Sequence, residues 1–191
     1  MLSKDDFDKE QLDLLRRCRE AYEMVHRTPE HKEVDYGNKF EEIVKEFMLP
    51  YIPYNLKIVS KAKIRAHRLY TIDLALIKDF AFNDNDHVQA QSVYAVIEVR
   101  GFGIVAKRGR IPLALERKGF YQISKMFPKI RSAYLAIKER EAKEPHHINY
   151  VKETRDFLGD RAFILSEGDH NYEKKPYRGE WKRFLDYVTR T

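Results

Sequence analysis

The sequence predicts an α/β fold: a mixed central β-sheet flanked by helices, with an extra helix at each end. Three observations predict it. Three strand-like runs follow one another between residues 55 and 100. Segments with helical spacing lie before and after them. No internal repeat, low-complexity tract or change of composition marks a second domain.

Taken in order, residues 5–27 carry Leu12, Leu15, Tyr22 and Val25 at helical spacing. Pro29 and Gly37 end that pattern. "NKFEEIVKEFMLP" is a short amphipathic helix, stopped by Pro50 and Pro53. "NLKIVSKAKI", "LYTIDLALI" and "SVYAVIEVR" are rich in β-branched and aromatic residues and read as strands. The polar stretch "KDFAFNDNDHVQAQ" links the last two, and "GFGIVAKRGRIPLALERKG" reads as a basic segment punctuated by glycine. "FYQISKMFPKIRSAYLAIKEREAK" then reads as one long helix with a kink at Pro128. "RAFILSEG" is a fourth strand, and "RGEWKRFLDYVTR" closes the chain as a helix. The expected order is therefore α-α-β-β-β-α-β-α in one domain, residues 1–191.

Composition sets the class. The 191 residues are 43% hydrophobic and 35% charged, as in a soluble protein with a highly charged surface. No apolar run approaches the roughly 20 residues needed to span a bilayer, so no membrane role is expected. The N-terminal stretch is acidic and amphipathic, unlike a secretory signal. One cysteine, Cys18, rules out an internal disulfide and suits a reducing compartment, so a cytoplasmic protein is expected. Its place in a helical pattern makes Cys18 a packing residue rather than a nucleophile.

The net charge is +6, unevenly spread. Residues 100–140 hold eleven Lys/Arg against two acids, Glu116 and Glu139. Lys57, Lys61, Lys63, Arg65 and Arg68 form a second basic run without an acid. Such segregation suits a polyanionic partner, because basic groups gain affinity by displacing phosphate counterions; a solvated surface gives the same pattern.

Three acids stand out against this background. Asp73 interrupts an apolar strand, where an unpaired carboxylate is costly. On the next strand, alternation places Tyr94, Val96, Glu98 and Arg100 on one face and Val93, Ala95, Ile97 and Val99 on the other. If the two strands pair, Asp73 and Glu98 converge near one sheet end. Two close carboxylates repel unless one is protonated or a cation lies between them. Oxygen ligation with open positions suits Mg²⁺ or Mn²⁺, while plain salt bridges, Glu98 with Arg100 or Asp73 with a lysine, account for the same residues. In "GNKFEEIVKEFM", Glu41 lies beside the apolar stripe and Glu42 points away, so Glu41 either looks toward the sheet or reaches solvent at its boundary.

The pattern of Gly37 and Glu41 on a helix, Asp73 in "IDLALI" and Glu98-Val99-Arg100 in "VIEVRG" resembles the restriction-endonuclease-like PD-(D/E)XK nucleases. The resemblance implies an αβββαβ core over residues 37–167, with residues 1–36 as an N-terminal helical extension and 168–191 as a C-terminal helix. It further implies hydrolysis of DNA phosphodiester bonds with Mg²⁺ or Mn²⁺. Asp73 and Glu98 would ligate the metal, with the Val99 carbonyl as a further ligand, and Glu41 would assist metal or water positioning. Arg100 stands where the family has lysine. Arginine stays protonated and is a poor general base, but it can hold the scissile phosphate or stabilise its developing charge. Lys107, Arg108 and Arg110 in the basic segment, with Gln122 and Lys125 on the following helix, are the expected nucleic-acid contacts. Lys125 is also a candidate for the missing lysine, and Gln122 for orienting water or substrate.

Two functions follow as expectations: a metal-dependent deoxyribonuclease, or a catalytically impaired nuclease-fold module that binds nucleic acid or a protein partner. RNA as substrate and a homodimeric assembly are both left open by the sequence. Other motifs carry less. Asp84–Asp86 lacks the glycine and distal glutamate of a calcium loop, and His146-His147 lacks zinc-ligand spacing. Tyr172, Tyr177 and Trp181 read either as base-stacking or, for Trp181, as helix-core residues.

Overall fold

A computed structural model of the chain describes residues 3–27, 36–78, 87–102, 110–138, 150–167 and 175–190. Its elements are α1 (Lys4–Arg27), α2 (Tyr36–Met48), β1 (Leu56–Arg65), β2 (Leu69–Lys78), β3 (Val88–Gln89) and β4 (Val93–Phe102) in the first half. The second half holds α3 (Ile111–Glu116), α4 (Gly119–Met126), β5 (Arg131–Lys138), α5 (Tyr150–Leu158), β6 (Ala162–Ile164) and α6 (Glu180–Thr189). The strands form one mixed sheet in the order β3-β1-β2-β4-β5-β6. β2 runs antiparallel to both of its neighbours, β1 and β4, and β4, β5 and β6 are parallel. This is the helix-flanked mixed sheet that the sequence predicts.

Two apolar clusters cover the sheet. The first joins Leu14, Leu15 and Cys18 of α1, Phe40, Val44 and Met48 of α2, and Trp181, Phe184 and Val188 of α6 to the strands. The second joins Ile111 and Leu115 of α3, Phe120 and Ile123 of α4, and Leu158 of α5 to them. Burial raises the Cys18 thiol well above its ordinary pKa, in keeping with a packing role. Gln11 ties the two ends of the chain together. Its Nε2 donates to the Leu165 and Tyr177 carbonyls at 2.9 and 3.0 Å, and its Oε1 accepts from the Trp181 amide at 3.1 Å.

One expected element differs. Residues 120–138 are not part of a single kinked helix: α4 ends at Met126, Phe127–Ile130 turns, and β5 follows, while 139–143 of that expected helix lie outside the described residues. β5 is buried from Ser132 through Lys138 because helices cover both its faces. A doubly covered strand shows no period-2 alternation, and the Ala- and Leu-containing "RSAYLAIK" then looks helical. β5 is thus the fourth strand of the αβββαβ core, while "RAFILSEG" contributes the short β6. The stretches read as a linker and a basic segment also contain β3 and α3, and α5 adds a further helix.

The alternation expected in β4 is shifted at its start. Leu76 pairs with Ala95 but Ile77 with Val93, so Tyr94 is bulged out. Val93 and Val96 therefore join the second cluster, whereas Tyr94, Ala95, Ile97 and Val99 join the first. From Ala95 onward the expected alternation stands, and Glu98 lies on the side opposite Ile97 and Val99.

Candidate active site

The site forms where the sheet parts. β2 and β4 pair from Ile77/Val93 to Leu74/Ile97 and no further. The next rung would set Asp73 beside Glu98, and there the Asp73 side chain takes over from the backbone ladder. Its Oδ2 accepts a hydrogen bond from the Val99 amide at 3.0 Å. The amide and carbonyl of one strand residue point to the same edge, so the Val99 carbonyl also faces this gap.

Glu98 is buried on the α4 side. Its Oε1 pairs with the Arg100 guanidinium and with Lys118 Nζ at 3.1 Å, Lys118 standing immediately before α4. Glu41 is buried on the opposite, α2 side, and its Oε1 meets Lys61 Nζ at 2.6 Å. The same ammonium lies 3.8 Å from Asp73 Oδ1. Glu41 thus faces the sheet, not solvent, and Glu42 is exposed.

Electrostatics follow from this placement. Burial, and then the nearby Glu98 charge, raise the Asp73 pKa above its ordinary value, against the Val99 hydrogen bond, Arg100 and Lys61. Burial alone would lower the Arg100 pKa, but Glu98 and Asp73 outweigh it and raise the value. Arg100 is therefore a permanent cation here. Three largely buried acids face three half-exposed cations, Lys61, Arg100 and Lys118.

The donors suit a hard cation in kind: two carboxylates across the gap, with the Val99 carbonyl at the same edge. One or two carboxylates with waters is the usual protein share of a Mg²⁺ site. Among the described residues, no group of three or more His, Cys, Asp or Glu side chains is placed to hold one ion together. Lys61 links Glu41 to Asp73.

Of the expected nucleic-acid contacts, Arg110, Gln122 and Lys125 are among the described residues. Arg110 is exposed just before α3, and Lys125 is exposed on α4. Gln122 donates from its Nε2 to the Glu116 carbonyl, bracing the α3–α4 junction. Lys107, Arg108, Asp84–Asp86, His146-His147 and Tyr172 lie outside the described residues. Trp181 is fully buried and stacks on Phe184, so it is a core residue and cannot stack on a base. Tyr177 is half-buried beneath the Arg155 guanidinium.

Sequence reasoning missed Lys61 and Lys118 as site residues. A signal existed for Lys61: the turn between "NLKIVSKAKI" and "LYTIDLALI" sets Ser60 against Leu74 and Ala62 against Ile72, hence Lys61 opposite Asp73. Lys118 had no such signal, because its position depends on where α3 and α4 join.

No protein-family model matches the chain, and neither does any curated protein sequence. Solved structures of similar fold do. NucC of E. coli MS115-1 in its cAAA-bound form aligns with a TM-score of 0.57 at 15% identity, over 86% of this chain and 76% of that one. NucC of P. aeruginosa ATCC27853, also cAAA-bound, aligns with a TM-score of 0.55 at 13% identity over the same shares. At these identities the likeness is one of fold. The chain shares the α/β fold of these structures, the restriction-endonuclease-like fold.

Proposed function

We propose that this chain is a Mg²⁺- or Mn²⁺-dependent deoxyribonuclease that hydrolyses DNA phosphodiester bonds with activated water. The observation that supports this reading is the placement of Asp73 at the opening where β2 and β4 stop pairing, held by the Val99 amide at 3.0 Å and near enough to Glu98 for their charges to interact. Asp73 and Glu98, with the Val99 carbonyl, would hold the metal. When bound, such an ion lowers the pKa of water and offsets phosphate charge.

The protein groups divide the remaining work. Arg100 and Lys118 carry half-exposed positive charge beside Glu98 and present it to a phosphate at the gap. Glu41 fixes Lys61 on the other side. Arg110 and Lys125 extend the basic surface that follows the phosphate backbone.

The test incubates linear, supercoiled and single-stranded DNA, and RNA, with Mg²⁺ or Mn²⁺, beside chelator and Asp73→Ala controls. Cleavage of DNA that needs the metal and is lost in the variant is the expected result. Cleavage that survives either control removes the mechanism.

A second reading rests on the ion pairs. Every site acid already has a cation partner, and arginine replaces the family lysine, as suits a module that binds nucleic acid without cutting it. DNA binding with no cleavage under any metal selects this reading.

A further inference from the structure

Lys61 has a backbone unlike that of any other described side-chain-bearing residue. Its φ is +50°, and among the described residues it is the only non-glycine with positive φ. Lysine has neither the missing Cβ of glycine nor the short self-bonding side chain of asparagine that eases this conformation. It sits mid-strand in β1, in register with Asp73, yet the two do not join the backbone ladder on either side of them. In both strands the apolar side chains change cluster at this rung. Leu56 and Ile58 belong with α2, and Ala62 and Ile64 with α4; Leu74 and Leu76 belong with α2, and Tyr70 and Ile72 with α4.

The left-handed turn therefore aims one ammonium group between two acids on different elements. Nζ lies 2.6 Å from Glu41 and 3.8 Å from Asp73. Glu41 and Asp73 are 7% and 16% exposed, but the Lys61 side chain is 49% exposed. It caps the acids from the solvent side and lines an open groove of about 520 Å³ with Asn38, Glu41, Glu42, Lys45, Glu46 and Ser60. Persistent strain of this kind marks positions that the surrounding structure holds for a purpose beyond the ladder.

We infer that Lys61 is the resident counter-ion of the site, displaced from Asp73 when a divalent cation binds, and that its ammonium, still anchored by Glu41, then contacts the scissile phosphate. The phosphate contact rests on the nuclease reading; the counter-ion role does not. A dication outcompetes a single ammonium for the carboxylate that they share, Asp73. Lysine's four-carbon stem lets its charge swing a few ångströms without moving the backbone. The phosphate would then meet a cation on each side of the gap, Lys61 on one and Arg100 on the other.

The test uses Lys61→Asn and Lys61→Gly, both compatible with a left-handed backbone, so that folding is preserved. Calorimetric titration of the metal-free protein with Mn²⁺ reads the counter-ion role. Removing a competing charge should tighten Mn²⁺ binding about tenfold. DNA cleavage by the same variants should fall about 100-fold in kcat, the cost of losing one group that faces transition-state charge. A merely structural lysine would not move these two readouts in opposite directions. Unchanged or weaker Mn²⁺ binding overturns the inference, as does cleavage at the wild-type rate. Tighter Mn²⁺ binding with no DNA cleavage by the wild-type protein overturns the nuclease reading and its phosphate contact, and leaves Lys61 as the counter-ion.

Discussion

Asp73 accepts a hydrogen bond from the Val99 amide at 3.0 Å, across the gap where β2 and β4 stop pairing. A side chain here replaces a backbone rung. That exchange opens the sheet while keeping an amide satisfied, and it places a carboxylate beside Glu98 instead of an apolar contact.

The arrangement has a cost that pH exposes. Burial and Glu98 raise the Asp73 pKa, so the folded chain holds this proton more tightly than the unfolded chain. Its contribution is fully present below the ordinary carboxylate pKa, about 4, and is lost as pH rises through the raised folded value. Asp73→Asn keeps an acceptor for the Val99 amide and removes the buried charge. The metal-free variant should melt higher than wild type at neutral pH, with a flatter profile above the ordinary carboxylate pKa, and DNA cleavage should fall to background. Melting curves across the acid-to-neutral range check the sign.

Arg100 tests whether the site is damped or dead. Its pKa is raised by Glu98 and Asp73, so it cannot give up a proton. Arg100→Lys supplies a smaller, mobile ammonium at the same strand position and should raise DNA cleavage several-fold. Arg100→Met removes the charge and should cost roughly 10²–10³ in kcat. Steady-state cleavage at matched metal concentration measures both, and a lysine variant slower than wild type contradicts the expected order.

The exposed Arg110 and Lys125 make a different demand. If both follow the phosphate backbone, replacing either with alanine should weaken DNA binding with little regard to sequence. Each should reduce the slope of log affinity against log salt by about 1. Binding titrations over a range of salt, in a metal that does not support cleavage, give the slopes. Unchanged slopes would place the DNA on another surface.

What was legible in the sequence follows from which signals are local. The hairpin strands and β4 carry β-branched runs with acids placed against the pattern, so Asp73 and Glu98 stood out. The apolar stripe of α2 put Glu41 at its boundary, free to face the sheet or solvent, and only the packed structure decides for the sheet. β5 was not legible, because burial on both faces erased its alternation and left "RSAYLAIK" looking helical. The bulge at Tyr94 was hidden for a related reason: its neighbours are apolar whichever side they face. Lys61 appeared only as one lysine in a basic run: the hairpin could have set it opposite Asp73, but its left-handed backbone leaves no mark on residue type.

The packing between β4 and α2 links the fold to the site most directly. A Cβ at Gly101 would lie 2.1 Å from Phe40 Cε2 and 2.5 Å from Cδ2, so this glycine is required by close approach. Phe40 is fully buried and precedes Glu41 on α2. Gly101→Ala must therefore push the ring, and the helix with it, away from the sheet. Overpacking of this kind costs about 1–3 kcal/mol, which lowers Tm by roughly 2–4 °C per kcal/mol in a chain of this size. The shift of α2 also carries Glu41 away from Lys61, so cleavage should fall further than the loss of folded protein explains. Phe40→Leu shortens the ring's reach; alone it is destabilising through the space it leaves. Combined with Gly101→Ala, the smaller side chain makes room for the new methyl, and the double variant should be more stable than the two single losses predict. It should also recover part of the cleavage rate. Strict additivity in Tm would show that Gly101 and Phe40 are not coupled and that the position of α2 does not depend on this contact.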